Sequence, residues 1–402
     1  MNGSVSGAAD RVRWARAAAF LPQQATAALR AAGSLAALAS ASPATLRALG
    51  LGERFLKALE EARRAEAADL RWLESPGHHL LLREDPGFPA LLAALPDAPF
   101  ALWVRGNPAL LGRAQVAIVG SRRATPVGRE VAAEFATAAV AAGWVVTSGL
   151  AEGVDAAAHH GALAAQGLTI AVCGTGPDLV YPPRHRDLAA AIAASGAIVT
   201  EFPPGTAARP AHFPYRNRLL AGLAIGTVVV EAALRSGSLV TARLAAEQGR
   251  EVYAVPGSIR NPEAQGCNAL LKDGARLADN APELLNELGF SPLLSAELAA
   301  APKPPSMLSG AGPATAAVRP GSAPRLDRDG EILLDALGFE PQDFDTLVAR
   351  TGFKPAALAG KLLQLELAGL LELRAGGEYA RLGTSGRAPA PAPSPSSTAL
   401  PH

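Results

Sequence analysis

VAIVGSRRATPVGREVAAEFATAAVAAG (residues 116–143) decides how this chain is read. Its opening, VAIVG, is a short β-branched run closed by glycine, the form of a buried parallel strand. From Ala124 to Gly143 the apolar residues recur with helical periodicity. Ligands of open α/β sheets sit at the carboxyl ends of such strands, beside helix N-termini that attract anions. Gly120, Ser121, Arg122 and Arg123 occupy that place here. Two guanidiniums there point to a phosphate-bearing ligand. The loop is neither GxGxxG nor GxxxxGKS/T, so a dinucleotide or nucleoside triphosphate is not the first expectation.

The same alternation extends on both sides, from about 78 to 290. Strands are expected near 101–105, 116–120, 144–148, 169–173, 197–201, 226–231 and 251–255, with helices such as 128–142, 153–166 and 238–249 between them. Strands separated by crossover helices give an α/β fold with a doubly wound, mostly parallel sheet. Residues 10–72 read as short helices, with Ser42 and Pro43 forming an N-cap and first turn. The LGLGERF step (49–55) has the look of the turn in helix-hairpin-helix modules that contact DNA backbones; the plainer alternative is a packing module without a ligand. Residues 301–325, rich in Pro, Gly, Ala and Ser, form a flexible linker. Order returns over 327–382 as helices near 328–337, 343–351 and 355–369, then strands LLELRA and EYARL: a winged-helix pattern. The tail from 384 is low-complexity. The expected domains are 1–75, 78–290, 327–383, a linker at 291–326 and a tail at 384–402.

The totals narrow the function. The chain has 402 residues, 49% apolar and 18% charged, with a formal net charge of +1, so any basic site must be local. Cys173 and Cys267 fit neither metal-ligand nor CxxC spacing, which points to a reducing cytoplasm and to no metal site. No secretory signal is evident at the N-terminus, and the longest uncharged apolar stretch, 219–230, is too short to span a bilayer.

Four loops at expected strand ends offer backbone N–H groups and small hydroxyls that suit phosphate oxygens. They hold Gly120 to Arg123; Ser148, Gly149 and Gly153; Gly174, Thr175 and Gly176; and Ser236, Gly237, Ser238 and Thr241. The most basic segment, PPGTAARPAHFPYRNRLL (203–220), has no carboxylate, and none stands between Glu201 and Glu231. There Arg209, His212, Arg216 and Arg218 interleave with Phe213 and Tyr215, the combination by which a groove tracks a backbone and stacks unpaired bases. Catalytic candidates are poor: Asp155 and His159, at i,i+4, form a pair that more often braces a helix, and no metalloprotease, nucleophile-elbow or paired-carboxylate motif occurs. WVVTS ends in Ser148 rather than an acidic ribose ligand, which weakens a nicotinamide-cofactor reading. No cofactor is expected.

Together these segments closely resemble the DprA (DNA-processing, Smf) family. The resemblance rests on VAIVGSRRATPVG (116–128), SGLAEGVDAAAHHGAL (148–163), TIAVCGTGPDLVYPPRH (169–185), VTEFPPGT (199–206), FPYRNRLLAGLA (213–224), VVVEAALRSGSLVTARLAAEQGREVYAVPGS (228–258) and GCNALLKDGA (266–275). It implies a Rossmann-like domain that binds single-stranded DNA, dimerises, and loads the recombinase RecA during natural transformation. Flanks similar to a SAM-like N-terminal module and a C-terminal winged helix are implied too. On matching positions, Gly120, Ser121 and Arg122 would hold a backbone phosphate. Phe213, Arg216, Asn217 and Arg218 would bind DNA, and Ser236 to Thr241 would line the same pocket. Glu152 departs from the family pattern, where a basic residue is usual. Residues 327–382 carry ten acidic and six basic residues, a net of about −4, so this winged helix is at least as suited to protein contact as to duplex reading. The competing reading is a phosphoribohydrolase-like enzyme with Glu231 as its carboxylate, although the full PGGxGTxxE pattern is absent.

Overall fold

A computed structural model describes residues 2–289 and 291, and beyond them 333–334, 337, 342–351, 353, 358, 361–362, 365–366, 370–373 and 378–381. The chain divides into two compact units, residues 1–309 and 310–402.

The first unit is built on a nine-stranded sheet. Its strands are β1 (His78–Leu82), β2 (Ala101–Gly106), β3 (Gln115–Val119), β4 (Val145–Ser148), β5 (Thr169–Val172), β6 (Ala197–Thr200), β7 (Gly226–Val229), β8 (Glu251–Ala254) and β9 (Arg276–Leu277). They lie in the order β1-β2-β6-β5-β4-β3-β7-β8-β9. From β6 to β9 every pairing is parallel, whereas β2 runs antiparallel to both β1 and β6. The chain leaves β3, winds outward through β4, β5 and β6, then returns to lay β7 against the other side of β3. That reversal of direction at β3 opens a crevice at the carboxyl ends of β3 and its neighbours.

Both faces of the sheet are covered, which is why its central strands are almost uniformly apolar. On one face α7 (Pro126–Ala141), α8 (Val154–Ala164) and α13 (Ala281–Gly289) bury Phe135, Ala136, Ala158, Leu284 and Leu288. On the other, α6 (Ala90–Ala93), α10 (His212–Leu223), α11 (Gly237–Glu247) and α12 (Gln265–Lys272) bury Leu92, Leu219, Leu223, Ala242 and Cys267. α9 (Arg186–Ser195) covers β5 and β6 through Leu188 and Ile192.

The N-terminal helices are α1 (Asn2–Ala18), α2 (Pro22–Ala32), α3 (Leu35–Ser40), α4 (Pro43–Ala48) and α5 (Glu53–Leu73). Ser34 and Ser42 cap α3 and α4 through their side-chain oxygens. These helices share one core with the sheet edge: Trp14, Phe55 and Leu59 pack with Leu82 and Trp103. Arg16 clamps the buried Asp69 carboxylate and reaches the Pro204 carbonyl at 2.8 Å. The first 75 residues and the Rossmann-like sheet are therefore continuous in packing.

In the second unit, β10 (Gln342–Asp343) leads into α14 (Phe344–Thr351), and β11 (Leu371–Leu373) and β12 (Glu378–Arg381) form the expected hairpin. Leu337, Leu347, Leu362 and Leu371 belong to its buried core. The linker at 291–326 lies outside the described residues except for position 291, and so does the tail at 384–402.

Candidate nucleic-acid interface

The loop after β3 is shaped by close backbone approach. Ser121 N donates to the Glu231 carbonyl at 2.6 Å, and a Cβ on Gly120 would stand 2.6 Å from Val154 Cγ2 and 2.8 Å from that carbonyl. Only glycine fits there. Ser121 Oγ accepts from Arg123 N at 3.0 Å, closing a local turn that turns the arginines outward. Thr125 caps α7 and is in turn braced by Glu231, whose carboxylate accepts from Thr125 N at 2.8 Å and from its hydroxyl at 2.6 Å. The carboxylate of the enzyme reading is thus a brace for a helix start.

This loop forms one wall of an open cleft of about 620 Å³ at the sheet's reversal point. Gly120, Ser121, Arg122 and Arg123 line it, with Phe213, Arg216 and Asn217 from α10 and Ser236, Gly237, Ser238 and Thr241 from the start of α11. An adjoining pocket of about 130 Å³ shares Arg122, Phe213 and Arg216 and adds Gly149 and Glu152. Arg122 is exposed, with its guanidinium 5.6 Å from the Phe213 ring centroid. Tyr181 stands 5.4 Å on from the same ring, and is 46% exposed. Arg123 leans toward Glu263 at 3.6 Å. Asn217 Nδ2 donates to the Gly237 carbonyl at 3.2 Å and the Ser236 hydroxyl accepts from Ser238 N, so α10 and α11 are tied together at the cleft floor.

Arg216 is buried yet lines the cleft. Its Nη1 donates to Gly149 O at 2.8 Å and to Val172 O, while Nε has no hydrogen-bond partner among the described residues. Burial lowers its pKa, opposed by the nearby Asp155 carboxylate. Asp155 accepts from Gly149 N at 3.1 Å and Ala151 N at 3.3 Å, and its own pKa is raised by burial against the pull of Arg216. The positive charge of Arg216, set close under the cleft in a low-dielectric surround, favours an anionic ligand there.

Three expected contacts lie elsewhere. Arg218 lies two residues from Arg216, about 200° around the helix. Its side chain is only 6% exposed, ion-paired to Glu201 Oε2, donating to Asp97 O at 2.8 Å, and set 4.6 Å over the Tyr215 ring. Burial pushes the Glu201 carboxyl up to about 7 against the pull of this arginine. Arg218 is a core cation, not a cleft residue. Ser148 is fully buried and its hydroxyl donates to Ile118 O at 2.6 Å, stitching β4 to β3. Gly174 sits beneath the Phe213 ring, where an added Cβ would meet ring carbons at 3.1 Å and 3.3 Å; it seats the aromatic and does not line the cleft.

His159 is likewise internal. The Thr169 hydroxyl donates to Val146 O at 2.8 Å, so it accepts from His159 Nδ1 at 2.7 Å, leaving Nε2 bare. Burial, with help from neighbouring cations, drives its pKa down to about 3. Glu152 pairs with Arg184 at the rim. Sequence reasoning missed Tyr181 and Arg235 on the cleft wall. Tyr181 carried a usable signal, an aromatic directly before two prolines in a loop already marked for phosphate; Arg235 had only its place beside Ser236. Among the described residues no cluster of His, Cys, Asp or Glu could hold a metal, and no helix is long and apolar enough to cross a membrane.

Residues 79–289 match the family described as DNA recombination-mediator protein A, and residues 317–377 match the DprA winged helix domain. Protein Smf of Escherichia coli K12 is 39% identical over 321 residues, covering 80% of this chain and 82% of that protein. The DNA processing protein DprA of Streptococcus pneumoniae is 41% identical over 206 residues, covering 51% of this chain and 73% of that one. The crystal structure of DNA processing protein A from Streptococcus pneumoniae superposes with a TM-score of 0.62 at 32% identity, covering 69% of this chain and 97% of that one. With its reversal-point cleft, mostly parallel sheet and C-terminal winged-helix domain, the chain belongs to the DNA recombination-mediator protein A (DprA, Smf) family.

Proposed function

We propose that the cleft binds single-stranded DNA, and that the protein acts without a chemical step, holding incoming strands and passing them to RecA in recombination and natural transformation. The observation that carries this reading is the pairing of an exposed Arg122 with Phe213 and Tyr181, above the buried Arg216 guanidinium in the cleft wall. Cations at both levels suit a phosphodiester chain, and aromatic faces suit bases freed from pairing. A closed duplex hides those faces, so single strands are preferred. The start of α11 adds small polar residues to the same wall. The protein works as a cytoplasmic homodimer joined through the Rossmann-like domain, which places two clefts on one strand.

Titration of labelled oligo-dT and of matched duplex tests the reading. The single strand binds more tightly, and log affinity falls with log salt by roughly 0.7 per phosphate contacted. Arg122→Ala weakens single-strand binding about tenfold, the size of one charge-assisted contact, with an unchanged melting temperature. Wild-type binding by that variant would show that the strand lies elsewhere.

A further inference from the structure

A second cleft, of about 400 Å³, lies where the N-terminal helices meet the sheet domain. Its walls are the end of α1 (Arg16, Phe20), the first turns of α5 (Arg54, Lys57, Glu61) and, across from them, Pro203 and Thr206. Phe20 is 50% exposed although it is a large aromatic, and its inner edge rests on Phe202 at 5.4 Å and His212 at 5.7 Å. Arg16 is neutralised by Asp69. Arg54 is exposed, and no ion pair holds it among the described residues. Lys57 has only an exposed pair with Glu61 at 3.9 Å, of a kind that contributes little and that a phosphate can replace.

This groove and the DNA cleft share no lining residue. A single loop serves both: Pro203 and Thr206 line the groove, and Pro210 lines the cleft. The loop has no carboxylate and carries Arg209 exposed between those points. Of two adjacent residues at the start of α10, Phe213 lines the cleft and the buried His212 packs against Phe202 and Phe20. The turn LGLGERF is what delivers Arg54: Gly52 ends the turn and α5 begins at Glu53.

Resting on the reading of the cleft given above, we propose that the bound strand continues over residues 203–210 into this groove. There Phe20 stacks a base, and Arg209, Arg54 and Lys57 hold phosphates. The N-terminal helices thereby lengthen the site and favour long single strands over short ones.

Oligo-dT of about 6 nucleotides reaches the cleft alone, whereas one of about 20 reaches both sites. The double variant Arg54→Gln, Lys57→Gln changes only exposed side chains. It binds the short strand as the wild type does and the long strand about 3- to 10-fold more weakly. Its salt slope on the long strand falls by roughly 1.4, or 0.7 for each lost phosphate contact. Phe20→Ala shows the same length-selective loss with the slope unchanged, because no charge is removed. Equal losses at both lengths, or no loss at either, overturn the extension. Arg122→Ala separates the two claims: losing both lengths upholds the cleft, and wild-type binding at both sinks the cleft and the extension together.

Discussion

Arg216 and Arg218 lie two residues apart on one helix and have opposite fates. The first lies in the wall of the open cleft, held by the Gly149 and Val172 carbonyls; the second is sealed under Tyr215 with Glu201 and Asp97. A dense basic stretch is therefore not a dense basic surface, because both arginines are buried and helical phase sends one under the cleft and the other into the core. The same division runs through the surrounding loops. Arg122 and Phe213 face the cleft, while Ser148 and His159 are consumed by hydrogen bonds beneath it. On the proposed reading, residues of the first kind govern binding and those of the second govern stability.

The sharpest break of that comparison is Arg218→Ala, which leaves Glu201 buried without its partner. Stability falls by about 3–5 kcal/mol in denaturant melts, while the folded fraction still binds oligo-dT normally. Adding Glu201→Gln recovers part of the loss. A stable Arg218→Ala protein that fails to bind DNA would return this residue to the cleft.

His159→Gln sharpens the stability side. The unfolded histidine takes a proton below about pH 6.5, whereas the folded one, with its pKa near 3, does not. Its contribution is thus complete above 6.5 and is lost as pH falls toward 3, at up to about 1.4 kcal/mol per unit. Between pH 7 and pH 5 the wild type loses about 2 kcal/mol more than the variant, read from denaturation midpoints at the two values. Parallel losses would mean that this ring is not the acid-sensitive group.

On the binding side, Phe213→Ala removes the stacking face and costs roughly 1–3 kcal/mol on single strands, with the salt slope kept. A loss carried mainly by a changed slope would mark the ring as a prop for Arg122 instead. The smallest effect is at the rim. Glu152→Lys, which breaks the exposed pair with Arg184 and adds a cation, strengthens oligo-dT binding by about 0.2–1 kcal/mol at low salt.

Much of the sheet was legible because buried parallel strands write themselves as β-branched runs. All seven expected strands are present, with β3 ending at Val119 rather than Gly120. His78–Leu82 was missed, since its residues are half-buried at an edge and two histidines dilute its pattern. The antiparallel course of β2 has no local signature at all. The four phosphate-suited loops do come from the carboxyl ends of β3, β4, β5 and β7, yet they contribute unequally. Gly120 to Arg123 and Ser236 to Thr241 face the cleft, and Gly149 only its annex. Gly174 is covered by an aromatic ring supplied from a helix some forty residues later.

Local order in the chain was enough for the strand-and-helix alternation, the reversal-point loop with its two arginines, and the family, since each depends on residues within a few positions of one another. The tertiary structure alone decided which arginine of that helix lies at the cleft and which in the core, because Glu201 and Asp97 reach Arg218 from distant strands and loops. It also decided that Tyr181 joins Phe213, and that the N-terminal helices share a core with the sheet edge. Charge and aromatic character are properties of a residue, but exposure and partnership belong to the packed whole.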